Sequence, residues 1–159
     1  MFSLIITIIS IALVAALAVA TLYFGGSAFT EGTTQANASG VINQAQQIGG
    51  ASTLYTVRNA GDHPEDVEIL ATEDYLSSIP ALAANIGGSW AMGDEGFVSN
   101  VILSEAVCGA INVEAGDPNG DGTVSGDFDS TAGSMDLGGM PYGCDWDGGE
   151  DEGAFLYGY

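Results

Sequence analysis

The sequence predicts an α+β fold in which a long N-terminal α-helix precedes a small C-terminal antiparallel sheet. Residues 1–24 are apolar or small and carry no charged side chain. Between residues 38 and 55, small and apolar side chains recur at steps of three and four, which is the spacing of one helix face. After residue 56, short apolar and β-branched segments alternate with glycine-containing turns, a pattern typical of a small sheet.

The apolar run is long enough to cross a bilayer. As a helix, residues 1–24 rise about 36 Å, against roughly 30 Å of hydrocarbon in a membrane. We therefore predict a transmembrane or filament-core helix over residues 1–26. No Lys or Arg precedes the run, as one would in a secretory signal. We expect either that a basic leader has been removed or that the segment is an uncleaved anchor.

Gly25 and Gly26 mark the first predicted break in the helix. Each glycine costs about 1 kcal/mol relative to alanine in a helix interior, so the pair permits a kink or a melted turn there. An amphipathic helix that packs on the head is then predicted over residues 27–55. Its apolar stripe consists of Ala38, Val41, Ala45, Ile48, Ser52 and Tyr55.

The head is predicted to span residues 56–159. Residues 65–78 return to helical spacing, and Ser104 is a suitable N-cap for a short helix that runs through Ile111. Strands are predicted at residues 89–92, 97–103 and 155–159. Residues 116–153 are rich in glycine and aspartate and are predicted to form a loop.

The charge distribution disfavours nucleic acid as a partner and favours cations. The chain has 21 acidic residues against one basic residue, for a net charge of -20. Glu31 is the only carboxylate before Asp62, so the acidic side chains crowd the C-terminal two thirds. Phosphates and anionic membrane surfaces would be repelled by such a head. We expect an extracytoplasmic location, since no basic loop marks a cytoplasmic side.

Several segments resemble the type IV pilins, nearest the type IVb group. In that group the apolar helix begins at the processed residue, often Met, and an Ala/Gln/Asn-rich helix follows, as QANASGVINQAQQIGGASTLY does here at residues 35–55. DVEILATEDYLSSIP (66–80) and NIGGSWAM (85–92) are similar to the family's passage from helix into sheet. SEAVCGAI (104–111) resembles the short helix that carries its first cysteine, with Cys144 as the second.

The resemblance implies a structural role in a cell-surface filament. It implies a filament core built from the N-terminal helices, a sheet that faces outward, and pilus assembly machinery as a partner. Membrane embedding would precede assembly. One position departs from the family. Type IV pilins usually have a glutamate at the fifth residue, which is thought to pair with a neighbour's N-terminal amine. In this sequence that residue is Ile5. The family's usual determinant of subunit register is therefore missing.

Cys108 and Cys144 are the only cysteines. In a surface protein, two cysteines are expected to form one disulfide. The bridge would close a loop of about 37 residues and contribute about 3–4 kcal/mol, mainly by restricting the unfolded chain. A catalytic thiol is disfavoured, since His63 is the only histidine and no other basic partner for a thiolate stands nearby.

The loop between the cysteines contains the start of an EF-hand-type calcium motif. Oxygen-bearing side chains alternate from residue 117, Gly122 occupies the sixth position and Val124 the eighth. Phe128 stands at the twelfth position, where a bidentate carboxylate belongs, so an adjacent aspartate would have to complete the site. The predicted calcium ligands are Asp117, Asn119, Asp121, Thr123, Asp127 and Asp129. The alternative is a solvated acidic loop.

Two further clusters have a structural and a functional interpretation. The first is acidic and would be either additional cation ligands or a solvated face: Asp145, Asp147, Glu150, Asp151 and Glu152. The second is aromatic and is predicted to belong to the core and sheet rather than to a carbohydrate-binding surface: Trp90, Tyr142, Trp146, Phe155, Tyr157 and Tyr159.

We expect a structural subunit that polymerises through its N-terminal helix into an extracellular filament, with a calcium-stabilised acidic head. An enzyme is disfavoured, because the sequence carries no Ser-His-Asp order, phosphate-binding loop or zinc-ligand spacing. One alternative is a pseudopilin of a secretion system. The other is a membrane-anchored calcium-binding or adhesive module that does not polymerise.

Overall fold

The predicted α+β class is confirmed by a computed structural model, which describes residues 2–93, 96–116, 140–146 and 152–159. Two compact units are distinguished, Met1–Thr34 and Gln35–Tyr159. The elements in chain order are α1 (Phe2–Arg58), α2 (Val67–Thr72), β1 (Ala91–Gly93), β2 (Phe97–Ile102), α3 (Glu105–Ala115), β3 (Tyr142–Trp146) and β4 (Gly153–Gly158).

The helix α1 continues without interruption through Gly25 and Gly26. The predicted break in the helix, with a melted turn, is therefore wrong. Glycine weakens helix propensity but keeps its backbone N–H, so the hydrogen-bond ladder is able to continue. The helix ends where Ala60 adopts a left-handed conformation, with φ of 59°, and the Gly61 N–H donates back to the Thr56 carbonyl at 2.9 Å. This backbone pattern is a Schellman motif.

The second half of α1 is amphipathic, as predicted. The stripe residues from Ala38 to Ser52 are each 0% exposed, and Tyr55 packs against the same core. Gly49 lies directly on strand β4, because a Cβ added there would meet the Tyr157 ring at 2.7 Å and the Tyr159 Cβ at 3.1 Å. The backbone of α1 at Gly49 therefore lies in direct contact with tyrosine side chains at the end of the sheet.

The sheet has the order β1-β2-β4-β3, and all its neighbours are antiparallel. The final strand β4 is central, since it pairs with β2 from Phe97↔Gly158 to Ile102↔Gly153 and with β3 on its other side. Strand β3 lies inside the segment 116–153 that was predicted to be a loop, and that prediction is wrong for residues 142–146. Gly143 and Asp145 have poor strand propensity, but pairing with β4 overrides it.

Both remaining helices differ from their predicted bounds, since α3 continues four residues beyond Ile111 to Ala115. Helix α2 covers only Val67–Thr72 rather than residues 65–78. It ends because Asp74 adopts a left-handed conformation, with φ of 62°. The N–H groups of Tyr75 and Leu76 then both donate to the Leu70 carbonyl at 2.9 Å. Helix α3 begins after Ser104, which occupies the predicted N-cap position in extended conformation. Its side chain makes no capping hydrogen bond.

The close approach of α1 to the sheet predicts opposite effects for two adjacent substitutions. Gly49→Ala places a methyl group against Tyr157 and Tyr159, so we expect the free energy of unfolding to fall by about 1–2 kcal/mol. Gly50→Ala is the matched control, because nothing lies within 4 Å of an added Cβ there. It should raise the free energy of unfolding by about 0.5–1 kcal/mol through helix propensity.

The measurement is urea unfolding of the full chain in detergent, monitored by tryptophan fluorescence. Equal effects of the two substitutions would contradict the packing of α1 on β4.

Candidate assembly surface

Large apolar side chains are exposed along the first part of α1. Phe2 is 84% exposed and Phe29 is 79% exposed, and the large apolar side chains between them are 53–79% exposed. Exposed apolar surface on this scale marks contact with lipid or with protein. We call this set the apolar segment: Phe2, Leu4, Ile5, Ile6, Ile8, Ile9, Ile11, Leu13, Val14, Leu17, Val19, Leu22, Tyr23, Phe24 and Phe29.

Three hydroxyls within the apolar segment are hydrogen-bonded to their own helix. The Thr7 hydroxyl donates to the Leu4 carbonyl at 2.9 Å. Ser10 donates to a carbonyl one turn earlier at 2.8 Å, and Thr21 donates to the carbonyl three residues earlier at 2.9 Å. A hydroxyl bonded in this way presents no unpaired donor to an apolar surrounding. These residues can therefore be buried in lipid or between helices at little cost.

The apolar segment is followed by the first charge of the chain. Tyr23 and Phe24 form an edge-to-face pair with ring centroids 5.6 Å apart, and Glu31 follows within two turns. Aromatic side chains of this kind favour the membrane–water interface. By length and composition, α1 contains a stretch that is long and apolar enough to span or anchor in a membrane.

The predicted disulfide between Cys108 and Cys144 is present. It joins α3 to the edge strand β3, with the two Cα atoms 5.3 Å apart and both side chains 0% exposed. Cys144 is paired across the sheet with Phe155 of β4, which is also fully buried. The bridge therefore anchors β3 next to the centre of the core.

Asn112 reinforces this anchor and was missed in the sequence. Its Nδ2 donates to the Cys144 carbonyl at 2.6 Å, and the Cys144 N–H donates to its Oδ1 at 2.8 Å. The side-chain amide thus pairs with the backbone N–H and carbonyl of Cys144, which an edge strand would otherwise leave without a partner. A signal was available, because Asn112 follows Cys108 by one helical turn on the buried face of α3, where a polar group requires a partner.

A second buried asparagine makes the same kind of contact on β2. The Gly88 N–H donates to Asn100 Oδ1 at 3.0 Å, and Asn100 Nδ2 donates to the Gly88 carbonyl at 3.2 Å. The Gly88 N–H also lies 2.9 Å from the Val101 carbonyl. The irregular segment before β1 is therefore held to the sheet by backbone and side-chain hydrogen bonds together.

The predicted calcium ligands, from Asp117 to Asp129, lie outside the residues that the structure describes. Of the second acidic cluster, only Asp145 and Glu152 are described, and the rest lies outside as well. Within the described ranges, no three His, Cys, Asp or Glu side chains are arranged to hold a metal ion.

The aromatic cluster belongs to the core and sheet, as predicted. Trp90 is 7% exposed and packs edge-to-face on Phe155 with ring centroids 6.0 Å apart. Its Nε1 lies 3.3 Å from the Gln44 side-chain oxygen of α1. Tyr142 and Tyr157 stack across β3 and β4, at a centroid distance of 6.5 Å.

Tyrosine pKa values report the environment of the head. Burial raises the pKa of Tyr142, and the nearby Glu114 carboxylate raises it further. Burial also raises the pKa of Tyr159, while the Ser52 hydroxyl offsets part of that rise. The Ser52 and Tyr159 hydroxyls are both buried, and neither forms a hydrogen bond with a described residue.

The Asn112 contact predicts a large stability loss on its removal. Asn112→Ala leaves the Cys144 N–H and carbonyl buried without partners, so we expect the free energy of unfolding to fall by about 2–4 kcal/mol. Asn85→Ala is the control, because that side chain is exposed, and its effect should stay within about 0.5 kcal/mol. Urea unfolding with the disulfide intact measures both. Equal midpoints would contradict a stabilising role for Asn112.

Comparison with models of protein families, with curated proteins and with solved structures finds no match to this chain. The architecture consists of a long apolar N-terminal helix and a small antiparallel sheet closed by one disulfide. This combination is compatible with a pilin-like fold.

Proposed function

We propose that this chain is the structural subunit of a type IV pilus-like filament on the cell surface. The observation that carries the proposal is the exposed apolar segment of α1, followed along the same helix by a half that docks onto a folded head. Such a chain has one apolar surface that requires covering and one unit that has its own buried core. Copies of the chain supply the missing cover for each other.

The energetics favour a filament once the subunit leaves the membrane. In lipid, the apolar segment is solvated by acyl chains, and helix association relies on packing rather than on the hydrophobic effect. Outside the membrane the same side chains would meet water, at a cost of about 25 cal/mol per Å² of apolar surface. Packing the helices against one another removes that cost, so the assembled state outside the membrane is a bundle of apolar segments.

The acidic heads oppose assembly unless cations screen them. A net charge of -20 per chain produces strong repulsion between neighbouring heads. Dissolved salt screens exposed charges over roughly 8 Å at physiological ionic strength. Bound calcium at the predicted ligands would lower the charge of each head directly, and we include this calcium site in the proposal.

A chain that only anchors in the membrane would use the apolar segment differently. Lipid contact requires apolar character but no particular order of side chains, whereas helix packing requires a specific surface shape. The two functions, anchored module and filament subunit, are therefore separable by changing the order and keeping the composition.

The test is a variant in which residues 2–24 are shuffled at constant composition. We expect the shuffled chain to insert into membranes as the original does, because hydropathy is unchanged, and to yield no filaments. Membrane fractionation provides the control, and electron microscopy of sheared cell-surface material provides the readout. Filaments of normal yield from the shuffled chain would overturn the proposal, as would an unaltered chain that stays entirely in the membrane fraction.

The calcium site predicts a saturable binding heat. Titration of calcium into the full chain in detergent should give a Kd of about 10⁻⁴ to 10⁻³ M, and Asp121→Asn should weaken it by removing a charged ligand. Glu73→Gln is the control, since that carboxylate is exposed in the described part of the head and outside the motif. Equal heats from the two variants would refute a site at residues 117–129.

A further inference from the structure

Helix α1 carries two charged side chains of opposite sign. Glu31 is the only carboxylate of the helix, and Arg58 is both its only cation and the only Lys or Arg of the whole chain. Both side chains are exposed. Since every other charged side chain in the sequence is acidic, histidine apart, an ion pair between side chains of two copies has to use Arg58.

Arg58 is available to a neighbouring molecule. Within the described residues its contact is with Tyr75, whose ring centroid lies 5.4 Å from the guanidinium carbon. A cation–π contact of this kind leaves guanidinium N–H donors free for a carboxylate. Two apolar side chains beside it are also uncovered, with Leu54 57% and Val57 76% exposed. An arginine bordered by exposed apolar side chains is typical of a protein–protein contact.

The two charges lie in different parts of the chain. Glu31 belongs to the unit Met1–Thr34 and Arg58 to the unit Gln35–Tyr159. A pair between two copies would therefore be heterologous, because it joins different parts of the two chains.

The chemistry of Glu31 supplies the driving force. It borders the apolar segment, so assembly would bring its carboxylate next to packed apolar helices. An unpaired carboxylate in such a place is costly, whereas a bidentate arginine partner satisfies both oxygens. A neighbour offers one side chain with a permanent positive charge for this purpose, and that side chain is Arg58.

We propose that Arg58 of one subunit pairs with Glu31 of a neighbouring subunit, and that this ion pair sets the register between the two subunits. The inference rests on the proposed filament function. The subunit register would then be set by two charged side chains of α1, Glu31 and Arg58. The fifth residue, where type IV pilins usually have a glutamate, is Ile5 in this chain.

The first experiment uses the absence of lysine in the sequence. Arg58→Lys keeps the positive charge and introduces the only lysine of the chain. A zero-length carbodiimide, which joins an amine to a carboxylate in direct contact, is applied to filaments assembled from an equal mixture of isotopically light and heavy subunits. Mass spectrometry should find a cross-link from position 58 to Glu31 in mixed light–heavy form. A cross-link to another carboxylate, or none from position 58, would overturn the inference.

The second experiment is a charge exchange, which remains informative if the lysine variant does not assemble. Arg58→Glu and Glu31→Arg should each reduce filament yield at least tenfold, because each juxtaposes like charges. The double variant should recover yield to within about threefold of the original, since the pair is restored with reversed polarity. A merely structural role of Arg58 at the helix end gives no such recovery.

The outcomes separate this inference from the proposed function. If the original chain forms filaments and the double variant does not recover, the Glu31–Arg58 pair is wrong and the filament function stands. If the original chain forms no filaments, the proposed function fails first. Glu31→Gln and Arg58→Gln provide a further check, because filaments from both at normal yield and unchanged register would also overturn the pair.

Discussion

The exposed apolar segment of α1 is the constraint on which the functional account depends. Its side chains are large and exposed, and the hydroxyls of Thr7, Ser10 and Thr21 among them are hydrogen-bonded to the helix itself. A surface with these properties is stable in lipid or against other apolar helices and unstable in water. The filament proposal follows from this instability, because identical copies are the simplest source of a matching apolar surface.

The head solves a different problem, which is how a small domain with little core remains folded. One face of α1 provides a large share of the core, from Ala38 to Ala51. Strand β3, at the edge of the sheet, is held by the disulfide and by the Asn112 amide at the same residue, Cys144. A covalent link and a buried hydrogen-bond pair at one position compensate for the limited apolar burial of a small domain.

Features with a strong local pattern could be predicted from the sequence, and features that depend on distant partners could not. The stripe on α1 repeats over several turns, and β2 is rich in aromatic and β-branched residues, so local patterns alone identify both. Strand β3 contains Gly143 and Asp145 and owes its stability to β4 and Asn112, which no local pattern reveals. The two glycines after Phe24 were given too much weight, because helix propensity is a weak term in a helix this long.

The same distinction between local patterns and distant contacts applies to the candidate site. The disulfide followed from there being only two cysteines, and the apolar segment followed from composition. The role of Asn112 depends on a contact across about thirty residues of sequence, and required the structure to be seen. The calcium motif is a local pattern of side-chain oxygens whose residues lie outside the described ranges, and it stays a prediction.

The most direct test of the account is a cryo-electron microscopy map of filaments sheared from cells that produce this chain. The account predicts a core of parallel α1 helices whose apolar segments pack together, with the acidic heads outside. Filaments that lack this chain, or a map in which its apolar segment lies on the outer surface, would contradict the account.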